Sequence, residues 1–339
     1  MLHSNIMANK KFLVIQTAFI GDVVLATGIP DKLHKQFPSA EIDMLVRKGN
    51  EGLLKDHPFL HELLIWDKKN GKMKNLFGLL KKIRSRRYDA VINVQRFAAT
   101  GILTAFSGAK ETIGYDKNPL SMFFTKKVKH VIGNGSFTKH EIERCNDLIS
   151  HLTDDIPQKP HLYPSSKDEA VVQQYKGSDY ITISPASVWF TKQYPAEKWI
   201  SFISQVPQQY TVYLLGGPTD KELAAGIQQA ATHPSVVNLC GQLSFLQSAA
   251  LMRDATMNYV NDSAPMHFAS AVNAPVTAIY CSTLPSFGFG PLSDKQFIVE
   301  VEEDLPCRPC GLHGRKACPL GHFKCALHIR DRQLLNSLS

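Results

Sequence analysis

An alternation that runs, stops and restarts governs what this chain can become. Short β-branched or apolar runs at 12–16, 41–46, 63–66 and 89–94 are interleaved with loops and stretches of helical spacing, the clearest from about Val23 to Gln36 and from Ala98 onward. Strands separated by helices pair in parallel, so the pattern predicts an α/β sheet. It breaks between Asp154 and Ser166, where Pro157, Pro160 and Pro164 crowd together, and resumes with runs at 180–184, 210–215, 236–238, 257–260 and 276–280. Two Rossmann-like domains in tandem, 1–160 and 161–339, are the simplest reading. Ligands in such folds sit at the carboxyl ends of the strands, so the expected site is the cleft between the halves.

Composition adds exclusions. With 44% hydrophobic and 20% charged residues among 339, the chain is neither disordered nor collagenous. No apolar run approaches the roughly 18–20 residues of a bilayer span, and Met1 to Asn9 lacks the apolar core of a secretion signal, so the expected address is cytoplasmic. Charge is uneven: residues 1–150 hold 24 basic and 14 acidic side chains, and residues 151–339 hold 14 and 16. Much of the excess lies between Lys68 and Arg87, an acid-free stretch containing Lys81, Lys82, Arg84 and Arg86 that predicts a basic amphipathic helix with its approach loop. Such a helix is either a solvated face beside a core stripe or a surface drawn to anions. Neither a helix-turn-helix pattern nor an aromatic single-strand platform is present, so a nucleic-acid partner is not expected.

Four loops that follow strands carry the chemistry. Gly21 and Asp22 occupy the first turn, which lacks both the G-x-G-x-x-G fingerprint and a P-loop. Asp22 there is either a cap of the first helical turn or a general base facing the cleft. Ser187 and Lys192 occupy a strand-to-helix loop, a pairing of hydroxyl and point charge that suits a diphosphate. Gly216 and Gly217 allow close backbone approach, and Glu222 is placed to accept from ribose hydroxyls or to cap its helix. In the last loop Pro265 suits the first helical position, leaving the amides of Ser263, Ala264 and Met266 as an anion cradle. Asp262 there points to sugar hydroxyls or a backbone cap, and His267 to a phosphate contact or a satisfied buried histidine.

Seven cysteines are present, four of them in a C-x2-C-x7-C-x6-C arrangement at Cys307, Cys310, Cys318 and Cys325 with His313, His322 and His328 interspersed. In a reducing compartment the spacing suggests a structural zinc, with reduced, partly buried thiols or oxidised pairs as the alternatives. Cys145, Cys240 and Cys281 read as isolated core residues.

Taken together these stretches resemble the ADP-heptose:lipopolysaccharide heptosyltransferases, glycosyltransferase family 9, and within it the heptosyltransferase II branch. The residues that carry the likeness are F-I-G-D-V-V (19–24), Y-D-A-V-I-N-V-Q (88–95), S-x-x-x-x-K-Q-Y-P-A-E-K-W (187–199), L-G-G-P-T-D-K-E (215–222), N-L-C-G-Q-L-S (238–244), N-D-S-A-P-M-H-F-A-S-A (261–271) and the closing C-R-P-C and C-P-L-G-H-F-K-C (307–310, 318–325). The resemblance implies a GT-B fold, two Rossmann-like domains around a central cleft, with the acceptor on the N-terminal domain and the nucleotide sugar on the C-terminal one. It implies Asp22 as catalytic base, Ser187 and Lys192 on the donor diphosphate, Glu222 on the ribose and Asp262 on the sugar. The implied reaction is inverting and needs no cofactor: transfer of a heptose from ADP-L-glycero-D-manno-heptose to a Kdo or heptose of the lipid A core. The basic helix would then meet the anionic inner face of the membrane that holds this acceptor. Two departures stand out, Ala264 and Pro265 where relatives have Gly-Leu, and Thr17 and Ala18 ahead of Phe19. Another sugar donor or acceptor, or a non-catalytic nucleotide-sugar-binding module, are the competing readings. Asp22 beside a retained Lys192 speaks against the latter, because a binder needs the lysine but not the base.

Overall fold

Residues 9–133 and 137–338 are described in the computed structural model. The chain divides into two compact units, Met1–Val131 with Glu141–Pro160, and Ile132–His140 with His161–Ser339. Each is built on a six-stranded sheet whose neighbouring strands are all parallel. The α/β class expected from the alternation is therefore what the chain adopts.

In the first unit the strands are β1 (Lys11–Ile15), β2 (Glu41–Arg47), β3 (Glu62–Trp66), β4 (Ala90–Asn93), β5 (Glu111–Tyr115) and β6 (Lys126–Val128), in the order β3-β2-β1-β4-β5-β6. β1 is central, with Phe12 in register with both Ile42 and Ala90, and its residues Phe12 to Ile15 are buried on both faces. Near-continuous apolar runs are what such doubly covered strands require. The helices are α1 (Ile20–Ala26), α2 (Gly28–Gln36), α3 (Lys72–Arg86), α4 (Ala98–Ala105) and α5 (Glu141–Asp147). Leu76 and Ile83 of α3 pack with Leu103 of α4 on Leu13, Ile15, Leu45 and Val91 of the sheet.

The expected helix from Val23 to Gln36 is in fact two helices. It begins at Ile20 and breaks at Thr27, whose hydroxyl donates to the Val24 carbonyl at 2.7 Å. β5 and β6 lacked a strand-like signature, since β5 carries Gly114 and β6 opens on two lysines suited to a sheet edge. The proline-rich passage packs tightly on α2. A Cβ on Gly28 would lie 2.6 Å from the Gln158 carbonyl oxygen, and the buried Lys32 ammonium donates to Asn146 Oδ1 (2.5 Å), Asp154 Oδ1 (2.6 Å) and the Asp154 and Ile156 carbonyls (2.8 and 2.5 Å). A buried ammonium this fully satisfied fixes the exit of the chain from the first unit.

The second unit carries α6 (Ser166–Val172), β7 (Tyr180–Ser184), α7 (Ala196–Ile203), β8 (Thr211–Leu214), α8 (Lys221–Ala230), β9 (Val236–Asn238), α9 (Phe245–Arg253), β10 (Met257–Asn261), α10 (Ala264–Ala271), β11 (Val276–Tyr280) and β12 (Gln296–Glu300). The sheet order is β12-β11-β10-β7-β8-β9, so the chain reverses direction beside the central pair β10 and β7. β12 escaped sequence reading because Gln296, Phe297 and Ile298 are exposed on an edge. The residues beyond β12 return to the core, where Leu305, Phe323, Cys325, Ala326 and Ile329 pack with Trp199, Phe202 and Tyr259. Among the described residues no helix is long and apolar enough to cross a membrane.

Candidate active site

Because the strands of a sheet run in one direction, the loops that follow them gather at one edge. In the first unit the loop after β1 is held by three others. Thr17 donates through its hydroxyl to Gln95 Oε1 at 2.5 Å, Asn50 Nδ2 donates to the Ala18 carbonyl at 3.0 Å, and Lys68 Nζ donates to the Thr17 carbonyl and hydroxyl at 2.8 and 2.9 Å. Burial, with the nearby Arg47 and Lys72 charges, pushes Lys68 down to about 8. That braced loop delivers Asp22 to the first turn of α1, half-buried, with Oδ2 accepting the Phe19 N–H at 3.2 Å. The capping role weighed against catalysis is thus real, and it leaves the carboxylate partly open to solvent. On α5, Arg144 Nε meets Glu141 Oε2 at 2.6 Å with both side chains buried. Burial raises the Glu141 pKa, and the charge of Asp22 adds to the rise, which puts Asp22 within electrostatic range of the pair.

The four basic residues singled out on α3 do different things. Lys82 lies 2.5 Å from Glu62 Oε1, Arg86 pairs with the other oxygen of Glu62, Arg84 Nη1 donates to the Phe106 carbonyl at 2.9 Å, and Lys81 is exposed.

In the second unit Lys192 and Asp262, read separately from sequence, are joined. Lys192 Nζ lies 2.6 Å from Asp262 Oδ2, which also accepts the Thr283 hydroxyl at 2.6 Å. Asn261, fully buried at the end of β10, accepts the Tyr194 N–H at 2.9 Å and donates to the Pro185 carbonyl at 2.9 Å, clamping both ends of the loop that carries Ser187 and Lys192. Ser187 sits half-buried in that loop, its N–H on Gln193 Oε1 at 3.2 Å. Glu222 is exposed in the first turn of α8, and it is Asp220 that closes the glycine turn through the Gly217 N–H at 2.8 Å.

The anion cradle is smaller than expected. The Met266 N–H already donates to the Ser263 carbonyl at 3.1 Å, and the Met266 side chain is buried, its sulfur accepting the Tyr280 hydroxyl at 3.3 Å. With Pro265 lacking an N–H, the amides of Ser263 and Ala264 are what α10 offers. His267 is buried, its Nδ1 without a hydrogen-bond partner among the described residues, and desolvation pushes its pKa down to about 3, so the ring is neutral near pH 7.

Sequence reading missed the role of the cysteine-rich segment as a strap over these loops. Arg308 donates to the carbonyls of Cys281 (2.7 Å), Thr283 (2.8 Å) and Tyr280 (3.2 Å) and pairs with Glu300. The Cys310 N–H donates to the Ser282 carbonyl at 2.9 Å, and Ser282 donates through its hydroxyl to Thr191 Oγ1 at 2.9 Å. Thr191 and Arg315 exchange two bonds, at 3.1 and 2.8 Å, and at Gly314 (φ +76°) a Cβ would lie 2.9 Å from Lys192 Cγ. No local signal marks these contacts, since over a hundred residues separate Thr191 from Arg315.

The zinc expectation finds no support in the arrangement of the described side chains. Among the described residues no three His, Cys, Asp or Glu side chains are arranged to hold a metal ion. The Cys310 thiol points at the Cys307 carbonyl (3.5 Å), Cys307 Sγ lies 3.8 Å from His322 Nε2, and Cys325 is part of the apolar core. Burial raises the Cys310 and Cys325 pKa values, and the neighbouring cysteines of the segment add to the rise. The alternative of reduced, partly buried cysteines describes the segment, and Cys145, Cys240 and Cys281 are buried free thiols.

The family profile of glycosyltransferase family 9 (heptosyltransferase) matches residues 76–318. The chain belongs to this family. Among its family 9 relatives, lipopolysaccharide heptosyltransferase 3 of Escherichia coli is 28% identical over 280 residues, 78% of this chain and 82% of that one. The lipopolysaccharide core heptosyltransferase OpsX of Haemophilus influenzae is 23% identical over 88% of this chain and 86% of its own. In three dimensions the chain is similar to E. coli ADP-heptose lps heptosyltransferase II, with a TM-score of 0.78 and 22% identity over 97% of both chains. That likeness shows the fold, the GT-B class.

Proposed function

We propose that this family 9 member is an inverting transferase that moves a heptose from ADP-L-glycero-D-manno-heptose to the inner core of lipopolysaccharide or lipooligosaccharide. The observation that carries the reading is the Lys192–Asp262–Thr283 constellation beside the Ser263 and Ala264 amides, a cation, a hydroxyl and backbone donors at the carboxyl edge of one sheet. The relatives, a lipopolysaccharide heptosyltransferase, a lipopolysaccharide core heptosyltransferase and an ADP-heptose lps heptosyltransferase, support the substrate class.

In this reading Asp22 accepts the proton of an acceptor hydroxyl as its oxygen attacks the anomeric carbon opposite the diphosphate. The bond to the diphosphate breaks, ADP leaves with the electron pair, and the anomeric centre inverts. Lys192 and the two amides meet the charge that develops on ADP, a type of donor worth about 3–4 kcal/mol each to a transition state. Asp262 holds Lys192 until the diphosphate arrives and then serves the sugar hydroxyls, with Ser187 on the diphosphate and Glu222 on the ribose. The acceptor is anchored in a membrane, and the enzyme works from its cytoplasmic side. The first unit takes the acceptor and the second the donor. A mass-spectrometric transfer assay with ADP-heptose and a panel of lipid A core acceptors tests this. The expected result is a mass increase of one heptose on one class of acceptor; transfer from a different nucleotide sugar, or hydrolysis only, would overturn it.

A further inference from the structure

The first unit carries large apolar side chains that stay exposed on its surface. More than half of Met73, Phe77, Met122 and Phe123 is exposed, and nearly half of Phe106. On α3, Met73, Phe77 and Arg84 form one stripe at spacings of four and seven, with half-buried Leu80 between the last two packing on the core beside Leu76 and Ile83. Arg84 reaches the Phe106 carbonyl at the end of α4, and the Phe106 and Phe123 rings lie 6.1 Å apart, so the stripe continues onto the turn at 121–123.

Charge sorts the possible occupants. The three segments that build this surface, residues 68–88, 90–110 and 117–133, contain no acidic residue, whereas Lys74, Lys81, Arg84, Lys126 and Lys127 lie within them; of the acids that flank them, Asp67, Asp89 and Glu111 pair with Lys48, Lys110 and His151, and Asp116 accepts the His130 N–H. A second copy meeting this face through a two-fold axis would oppose cation with cation. An anionic bilayer complements both halves of the surface. Apolar rings suit the headgroup–acyl boundary and the cations suit acidic headgroups. Lys82 and Arg86 are not part of the surface, because Glu62 already pairs with both.

We propose that the Met73–Phe77–Phe106–Phe123 surface, rimmed by Lys81 and Arg84, is a membrane-docking face for anionic lipid. The inference does not depend on the sugar chemistry. Its test is sedimentation of the full chain with vesicles of phosphatidylglycerol and phosphatidylethanolamine, and with phosphatidylcholine alone, across a salt series. Binding to the anionic vesicles is expected to exceed binding to the neutral ones by about tenfold or more. Phe77→Ser with Phe123→Ser should weaken it about tenfold at every salt concentration, and Lys81→Gln with Arg84→Gln about tenfold at low salt only. Lys82→Gln with Arg86→Gln should stay within about twofold of wild type. A Phe123→Trp variant reports insertion directly, through quenching of the added fluorescence by brominated lipid. No binding to anionic vesicles, binding indifferent to the two Phe substitutions, added indole fluorescence that brominated lipid leaves unquenched, or a dimer that the Phe variants dissolve would each overturn the proposal.

Discussion

At Asp262 a single carboxylate oxygen serves Lys192 and Thr283 together, which offsets the charge of Lys192 within its loop. The loops were legible from sequence because a lysine, a hydroxyl and a proline-headed helix are local signals. The pairing was not, since seventy residues separate Lys192 from Asp262 and only the adjacency of β7 and β10 joins them. Likewise Lys82 and Arg86 read as free cations until Glu62, from the neighbouring strand, is placed between them. His267 supplies a pH signature at this scale. Its folded pKa of about 3 lies below the unfolded value of about 6.5, so between the two the unfolded chain holds a proton that the fold refuses. Stability is therefore full above about pH 6.5 and falls as the pH is lowered toward 3, by about 1 kcal/mol between pH 6.5 and 5.5 from this residue. His130, pushed down to about 4 by burial, adds to the slope. Urea melts at the two pH values should show a shallower loss for His267→Gln than for wild type; equal slopes would mean that the ring is not held neutral.

Among the elements, most strands and the basic helix were legible through periodicity, while β6 and β12 were hidden by their edge positions and the α1–α2 break by a single threonine. The least legible element is the strap from Cys307 to Cys325, because its spacing suggested a metal and its actual contacts are hydrogen bonds to distant loops. Arg308 is the centre of that strap. Its three carbonyl partners, at Tyr280, Cys281 and Thr283, fix the segment that presents Thr283 to Asp262. Arg308→Gln should raise the KM for the ADP-sugar about tenfold and change kcat by less than about threefold, with Arg308→Lys intermediate because an ammonium lacks the planar fork. Steady-state kinetics with the donor varied decides this; a fall in kcat at unchanged KM would place Arg308 outside donor-loop positioning.

Over the whole molecule, two parallel sheets of six strands, a reversal of strand order beside the centre of each, and loops gathered at the carboxyl edges give the family 9 chain two sets of functional loops. The tandem alternation and the proline-rich break made this architecture readable, and the uneven charge marked which half carries the cationic surface. In the proposed mechanism the reaction rests on Asp22 as the base. Asparagine there keeps an oxygen for the Phe19 N–H but cannot accept a proton, so it separates the cap from the base. Turnover of Asp22→Asn, measured beside its affinity for ADP by calorimetry, is the direct test. The account predicts a fall in kcat of about a thousandfold or more, with the Kd for ADP within about threefold of wild type. Turnover within about tenfold of wild type would contradict it.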